Sequence, residues 1–320
     1  MNDLRLIPSL CSAGAMVLCA GIVCGQSYPV KPIRLVDGAA GGGTDFTARL
    51  VAQGISGPLG QPIIVDNRPP GIGQGEIVVK APPDGYTLYI TGPVFWTTPL
   101  LRKTPYDVLV DFAPISQIER SVNIVAVNAG LPVKSIRELV ALAKAKPGSL
   151  YYASAGVGGN AHLSGELFKS MAGVNIVHIP YKGNGPATTA LIANEVQVAI
   201  LDVGLVAPHI KSGKLRALAV SSAQPSPLAP GLPTVATSGL PGYEATGTTG
   251  MFAPAKTPAD VLNRLSQEIA KFVNRSDVKE KFFDTGVETV GSSPQEFATL
   301  IRTQMTTWGK VIADAGIKAD

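Results

Sequence analysis

Two glycine-rich segments carry the clearest chemical potential in this chain: Gly38-Ala39-Ala40-Gly41-Gly42-Gly43 and Ser154-Ala155-Gly156-Val157-Gly158-Gly159-Asn160. Each follows a short β-branched or apolar run and precedes apolar residues at helical spacing. Each therefore sits where a strand hands over to a helix. There the first unpaired N–H groups and the positive end of the helix dipole favour an anion. Glycine lets the main chain approach a ligand without a Cβ in the way. A single such loop also serves any tight turn. Two of them, one in each half of the chain, could hold the two ends of a dicarboxylate across a cleft. Asp202 ends an apolar run, where α/β folds place ligand groups, and its other role is to cap the helix that follows.

Other chemistries fit less well. The first loop is not G-x-G-x-x-G, and neither loop has the Gly-Lys-Ser/Thr of a phosphate-binding loop. Tyr152-Ala153-Ser154-Ala155-Gly156 has tyrosine where a nucleophile elbow needs its first glycine. A rival reading is an exported hydrolase of a small ester or amide, with Ser154 as nucleophile and His162 as base. His162, His178 and His209 have no partner at metal-ligand spacing, so no metal is expected. Each histidine is read as a surface or packing residue, although His162 could also cap a carboxylate. Trp96 reads either as a cleft wall or as core, and Trp308 as core. No cofactor is called for.

Around these loops the sequence spaces its elements as alternating strands and helices. Strands are expected over Ile33 to Val36, Pro62 to Val65, Tyr86 to Ile90, Val122 to Val127, Leu150 to Ala153, Val174 to Ile179, Val196 to Leu201 and Leu215 to Val220. Thr44 suits an N-cap ahead of Phe46, Leu50, Val51 and Ile55. Ser135 caps a helix that ends at Pro147-Gly148. Helices also fit Ala161 to Met171 and Pro186 to Ala193. Thr257-Pro258-Ala259-Asp260 opens a further helix, and Ser293-Pro294-Gln295-Glu296 is a capping box. Ser221 to Gly242 reads as a connection returning between lobes. The alternation points to parallel α/β sheets in two lobes.

Length and composition agree with that reading. The 320 residues favour two domains, and 45% hydrophobic with 16% charged residues excludes a disordered or coiled-coil chain. The 35 glycines and 26 prolines supply many tight connections. A net charge of +4 without a basic stripe gives no case for nucleic acid. Arg5 followed by the apolar run Leu6 to Cys24 reads as a secretory signal, residues 1–25, cleaved after Gly25. Cys11, Cys19 and Cys24 all lie inside it. The exported chain therefore has no cysteine, which excludes disulfides, thiol catalysis and cysteine metal sites.

A series of ordered motifs resembles one family. It runs Tyr28-Pro29-Val30-Lys31-Pro32-Ile33-Arg34-Leu35, Gly41-Gly42-Gly43-Thr44-Asp45, Asn67-Arg68-Pro69 and Pro83-Asp84-Gly85-Tyr86-Thr87-Leu88. It continues with Tyr106-Asp107, Asp111-Phe112-Ala113-Pro114, Tyr152-Ala153-Ser154-Ala155-Gly156 and Pro180-Tyr181-Lys182-Gly183. Pro208-His209-Ile210, Gly213-Lys214-Leu215-Arg216-Ala217-Leu218, Pro233-Thr234-Val235 and Trp308-Gly309-Lys310 complete it. The chain is similar to the periplasmic receptors of tripartite tricarboxylate transporters, the Bug family.

The resemblance implies a type II, two-lobed "Venus flytrap" without enzymatic activity. It would be a monomer in the periplasm that closes on a small carboxylate and delivers it to a membrane permease. It implies lobe 1 over residues 26–121 and 245–320 and lobe 2 over 122–244, hinged near Ile118 to Asn123 and Tyr243 to Met251. Ligand contacts are implied from Ala40, Gly41, Gly42, Gly43, Thr44, Asp45, Thr91, Gly92, Ser154, Ala155, Gly156, Gly158, Asn160 and Asp202. The family reads Pro-Phe-x-x-Gly-Gly before the threonine, where this chain has Asp37-Gly38-Ala39-Ala40. That exchange implies a changed specificity, with room for a bulkier or partly cationic solute.

Overall fold

In the computed structural model the described residues are 28–317, apart from 39, 42 and 70. The expected signal segment lies outside them. Among the described residues no helix is long and apolar enough to cross a membrane.

The chain first lays down β1 (Ile33–Asp37), α1 (Gly43–Leu59), β2 (Ile63–Asn67), α2 (Gly73–Val79), β3 (Thr87–Thr91), α3 (Val94–Leu101), α4 (Val108–Asp111) and β4 (Phe112–Ser121). It then crosses to β5 (Asn123–Asn128), α5 (Ile136–Ala145), β6 (Tyr151–Ser154), α6 (Asn160–Ala172), β7 (Val177–Pro180), α7 (Asn184–Ile192), β8 (Val198–Asp202), α8 (Val203–Lys211) and β9 (Leu215–Val220). The remainder forms β10 (Gly247–Pro254), α9 (Ala259–Val273), α10 (Ser276–Asp284), β11 (Val287–Thr289) and α11 (Pro294–Asp314).

Two sheets result, one per lobe. The first has the order β11-β4-β10-β3-β1-β2 and the second β7-β6-β8-β5-β9. Alternation along the strands separates two apolar layers in each. In the first sheet Leu35, Leu88 and Met251 join the layer beneath α1 and α9, while Val36, Tyr89 and Phe252 join the layer with Phe95 and Trp96. In the second sheet Val125 and Ile200 face Leu139 and Leu163, while Ile124 and Leu201 face Leu191 and Val206. These continuous apolar strands are covered on both faces, as the two-lobe expectation requires.

The sheets are mixed, which corrects the expectation of parallel pairing. β1 pairs parallel with β2 and β3, and β6 with β7 and β8. β10 runs antiparallel to both β3 and β4, β11 to β4, and β5 to both β8 and β9. The cause lies in the crossings between lobes. β4 leaves the first sheet at its cleft end and β10 re-enters there, so the two must run in opposite directions. Only Val122 separates β4 from β5.

Caps behave as expected at two helices. Ser135 accepts the Glu138 amide (3.2 Å) ahead of α5, and Ser293 with Glu296 forms the capping box of α11. At α1 the expectation shifts: the helix already begins at Gly43, so Thr44 lies within its first turn instead of capping it. The connection after β9 carries no strand or helix as far as β10, apart from a bridge between Val220 and Thr234. The last helix spans the two lobes. Phe297 and Ile301 enter the first lobe's core, and Trp308, Val311 and Ile312 enter the second's.

Candidate functional site

The first glycine loop leaves β1 at Asp37 and turns at Gly41, whose φ of 79° is a left-handed conformation that favours glycine. Asp45, one turn along, folds back on this loop. Its Oδ2 accepts the Gly41 amide (2.8 Å) and Arg49 Nε (3.0 Å), and its Oδ1 accepts Asn67 Nδ2 (2.9 Å). The Arg49 guanidinium, followed by the Gly41 amide, lowers the Asp45 carboxyl to about 2. Asn67 Nδ2 also reaches the Gly38 carbonyl (3.0 Å) and Asp37 Oδ2 (3.3 Å). The Asp45 carboxylate is thus engaged with the loop itself. Ala40 and Gly41 are exposed and Thr44 is half-buried. Gly42 lies outside the described residues.

The second loop is built on imidazoles. Ser154 is fully buried, and its Oγ donates to the Gly156 carbonyl (3.0 Å) while standing 2.7 Å from His178 Nε2. With its proton on Gly156, Ser154 accepts from His178 Nε2–H. His178 stacks on His162, with ring centroids 3.9 Å apart, and on Tyr152 at 4.8 Å. His162 Nδ1 accepts the Gly158 amide (2.9 Å). Burial, helped by the neighbouring His162, pushes His178 down to about 4, and burial also lowers His162. The His178 ring is therefore neutral at pH 7, and both rings serve as fixed hydrogen-bonding props.

This arrangement corrects the hydrolase reading. Ser154 meets His178, not His162, and its hydroxyl is buried against its own loop. It also corrects the view of these histidines as ordinary packing residues. No sequence spacing linked His178 to Ser154; the pairing arises because β6 and β7 are parallel neighbours, in register Tyr152 to His178.

Between the lobes lies a cleft of about 440 Å³. Val94, Thr98, Leu101 and Arg102 line it from the α3 side, and Ala155 to Gly159 from the second loop. Gly158 has φ 76°, and a Cβ there would stand 2.7 Å from Leu101 Cδ1, so the loop approaches α3 closely. The first turn of α6, Asn160 to Leu163, carries no acid. Trp96 is not a cleft wall. It is fully buried and donates from Nε1 to Gln304 Oε1 (2.9 Å).

Thr91 ends β3 and Gly92 follows it, where a Cβ on Gly92 would touch the Thr248 carbonyl at 3.4 Å. At the crossing itself, Gly247 pairs with Ser121, and a Cβ on it would stand 2.1 Å from Ser121 Oγ and 3.8 Å from Asn160 Nδ2. Asp202 holds the N-cap position of α8, but its side chain makes no cap bond. The Ser121 hydroxyl supports it, its Oδ1 has no partner among the described residues, and burial raises its carboxyl. Glu119 is buried on Thr47 Oγ1 (2.8 Å) and raised by burial, with Asp202 within electrostatic reach. Sequence reading missed Glu119 and Ser121, because β4 carries Pro114, Ser116, Gln117, Glu119 and Arg120 in place of a strand-like apolar run, and it missed Arg102, which follows α3 with no motif to mark it. Among the described residues no group of three His, Cys, Asp or Glu side chains could hold a metal.

Residues 47–317 match the model of the tripartite tricarboxylate transporter family receptor. The chain belongs to that family. Protein BugT of Bordetella pertussis is 33% identical over 330 residues, covering 99% of each chain. Among solved structures, R. palustris Rpa4515 with adipate is 35% identical, with a TM-score of 0.74, over 91% of this chain and 99% of that one. A TctC solute-binding protein from Polaromonas, solved with no ligand, is 25% identical with a TM-score of 0.83 over 90% and 99%. The two-lobed α/β fold is therefore that of these solute-binding receptors, which are not enzymes.

Proposed function

We propose that this receptor captures a small carboxylate in the cleft between α3 and the 154–160 loop. One observation carries the reading: an acid-free helix start, its loop braced by buried imidazoles, lies beside a cleft that Arg102 also lines. Main-chain amides at such a helix start stabilise an anion without any catalytic base. Adipate in the structure of a 35% identical relative supports the same ligand class. The contacts assigned are Ala40 to Asp45, Thr91, Gly92, Ser154, Ala155, Gly156, Gly158, Asn160 and Asp202. Asp45 acts by shaping the first loop.

The lobes, residues 26–121 with 245–320 and residues 122–244, close about Ile118 to Asn123 and Tyr243 to Met251. The receptor works in the periplasm as a monomer, exported by residues 1–25, and its closed form delivers the solute to the membrane permease of a tripartite transporter. Thermal-shift screening against mono- and dicarboxylates, amino acids and aromatic acids tests this. At least one carboxylate should raise the melting temperature, with no turnover of any ester or amide. A panel with no stabilising carboxylate, or hydrolysis abolished by Ser154→Ala, would overturn it.

A further inference from the structure

The charge of this protein is unevenly placed. Residues 122–244 carry nine Lys and Arg against five Asp and Glu, a net of +4 that equals the net charge of the whole chain, so the remainder is neutral. The surplus gathers at one end of the second sheet. Strand register puts the end of β5 beside the starts of β8 and β9, with Val127 opposite Val198 and Asn128 opposite Leu215. β6 and β7 start at that same end, since Tyr152 lies opposite Val198 and Tyr151 opposite Val177. The crossing at Asn123 and the loop after Ser154 lie at the other end.

Five lysines come to this distal end from three turns. Lys134 precedes the Ser135 cap of α5, Lys144 and Lys146 close α5, and Lys211 and Lys214 flank the turn from α8 into β9. Main-chain bonds tie the turns to the sheet: the Ala129 amide donates to the Lys214 carbonyl (3.2 Å) and the Gly148 amide to the Asn175 carbonyl (2.9 Å). All five side chains are exposed, and none makes an ion pair or a side-chain hydrogen bond among the described residues. Two acids share this end and both are engaged. Glu138 accepts the Lys134 amide (2.7 Å), and Glu195 bonds the Tyr181 hydroxyl. The lysines are left to repel one another until something negative covers them.

The kind of cation indicates the kind of partner. Arginine's planar fork suits a carboxylate fixed on a protein. Of the two arginines in residues 122–244, Arg216 is spent on the carbonyls of Ala129, Leu131 and Val133, and Arg137 lies along Gly239 on the flank of α5. What faces outward at the distal end is lysine, a flexible point charge on a long stem. Spread over separate turns, these charges suit many laterally mobile anions on a flat surface better than one shaped anion.

We propose that the distal end of the second lobe, through Lys134, Lys144, Lys146, Lys211 and Lys214, docks on an anionic phospholipid surface. The receptor is then held beside the membrane with its cleft at the opposite end of the lobe, free to close. Docking is independent of which solute the cleft takes.

Co-sedimentation of the exported chain, residues 26–320, with vesicles containing phosphatidylglycerol tests this, with phosphatidylcholine vesicles beside them. At about 50 mM salt the anionic vesicles should bind the protein at least about tenfold more tightly than the neutral ones. Raising the salt to about 500 mM should abolish the difference, because the Debye length falls to about 4 Å. Replacing the five lysines together, Lys134→Gln and its four counterparts, should remove the binding. A control of matched charge replaces five exposed lysines elsewhere, Lys103, Lys256, Lys279, Lys281 and Lys310, by Gln. It should stay within about threefold of the unmodified protein. Equal loss in both variants would mean that net charge alone attracts the protein, and would overturn the proposal. Equal binding to both kinds of vesicle would overturn it too. So would no binding to anionic vesicles at low salt, which would leave this end of the lobe to a protein partner. The vesicle comparison needs no variant, so it stands even if a substituted protein folds poorly.

Discussion

Replacing Asp45 by Asn should destabilise the receptor at neutral pH and do so less and less as the solution is acidified. The carboxylate holds the Gly41 amide, Arg49 and Asn67 together, and its folded-state value of about 2 lies below its ordinary 3.8. That gap corresponds to a ceiling of about 2.4 kcal/mol favouring the folded, ionised state. The Arg49 side chain is 56% exposed, so solvent screening reduces the expected difference to about 1 kcal/mol. Because the folded value is depressed, this stabilisation is fully present above pH 4 and disappears as pH falls towards 2. Urea unfolding of wild type and Asp45→Asn should therefore show a constant gap of about 1 kcal/mol from pH 5 to 8. The gap should narrow below pH 4. Equal stabilities at pH 7, or a gap that is undiminished at pH 2.5, would refute the view that this charge organises the first loop.

The imidazole pair gives a second pH test in a higher window. His178 is held at about 4 when folded, against 6.5 otherwise, so only the unfolded chain gains its proton between these values. Wild type should lose roughly 1–2 kcal/mol as pH drops from 6.5 to 4, and His178→Gln should lose less over that window in the same unfolding assay. His178→Ala also removes the support of Ser154, and calorimetry should show about tenfold weaker carboxylate binding at pH 7.5. Gly247→Ala places a Cβ on Ser121 Oγ and should destabilise the protein by roughly 1–3 kcal/mol in thermal unfolding. Adding Ser121→Gly to that variant should recover only part of the loss, because it also removes the hydroxyl that supports Asp202. Because Trp96 is fully buried on Gln304, its emission should not move when a solute binds, which selective excitation of a Trp308→Phe variant would show.

Much of the architecture was legible because period and punctuation coincide in this sequence. Ser135 with Glu138, and Ser293-Pro294 with Glu296, announce helices that form as read. The β-branched runs at Ile33, Leu215 and Val122 lie within or against strands buried on both faces. What stayed hidden depends on long-range pairing. β4 spans 10 residues, but its polar Gln117, Glu119 and Arg120 disguise it, since they serve the crossing between lobes and not a core. Strand direction was hidden for a related reason: a chain that leaves one lobe and later returns must reverse, and no local pattern records that. Both glycine loops were visible as candidate sites, yet the burial of Asp37, with one oxygen unpartnered among the described residues, is a property of the folded loop alone. The bond between Ser154 and His178 depends on which strand lies beside β6.

The most direct measurement is a crystal structure of the protein loaded with the carboxylate or amino-carboxylate that raises its melting temperature most. The account predicts a closed cleft with the solute's carboxylate oxygens within about 3 Å of main-chain amides in the 155–160 segment, at ordinary hydrogen-bond distance. A solute seated away from that segment, or held there by side chains while those amides point elsewhere, would contradict it.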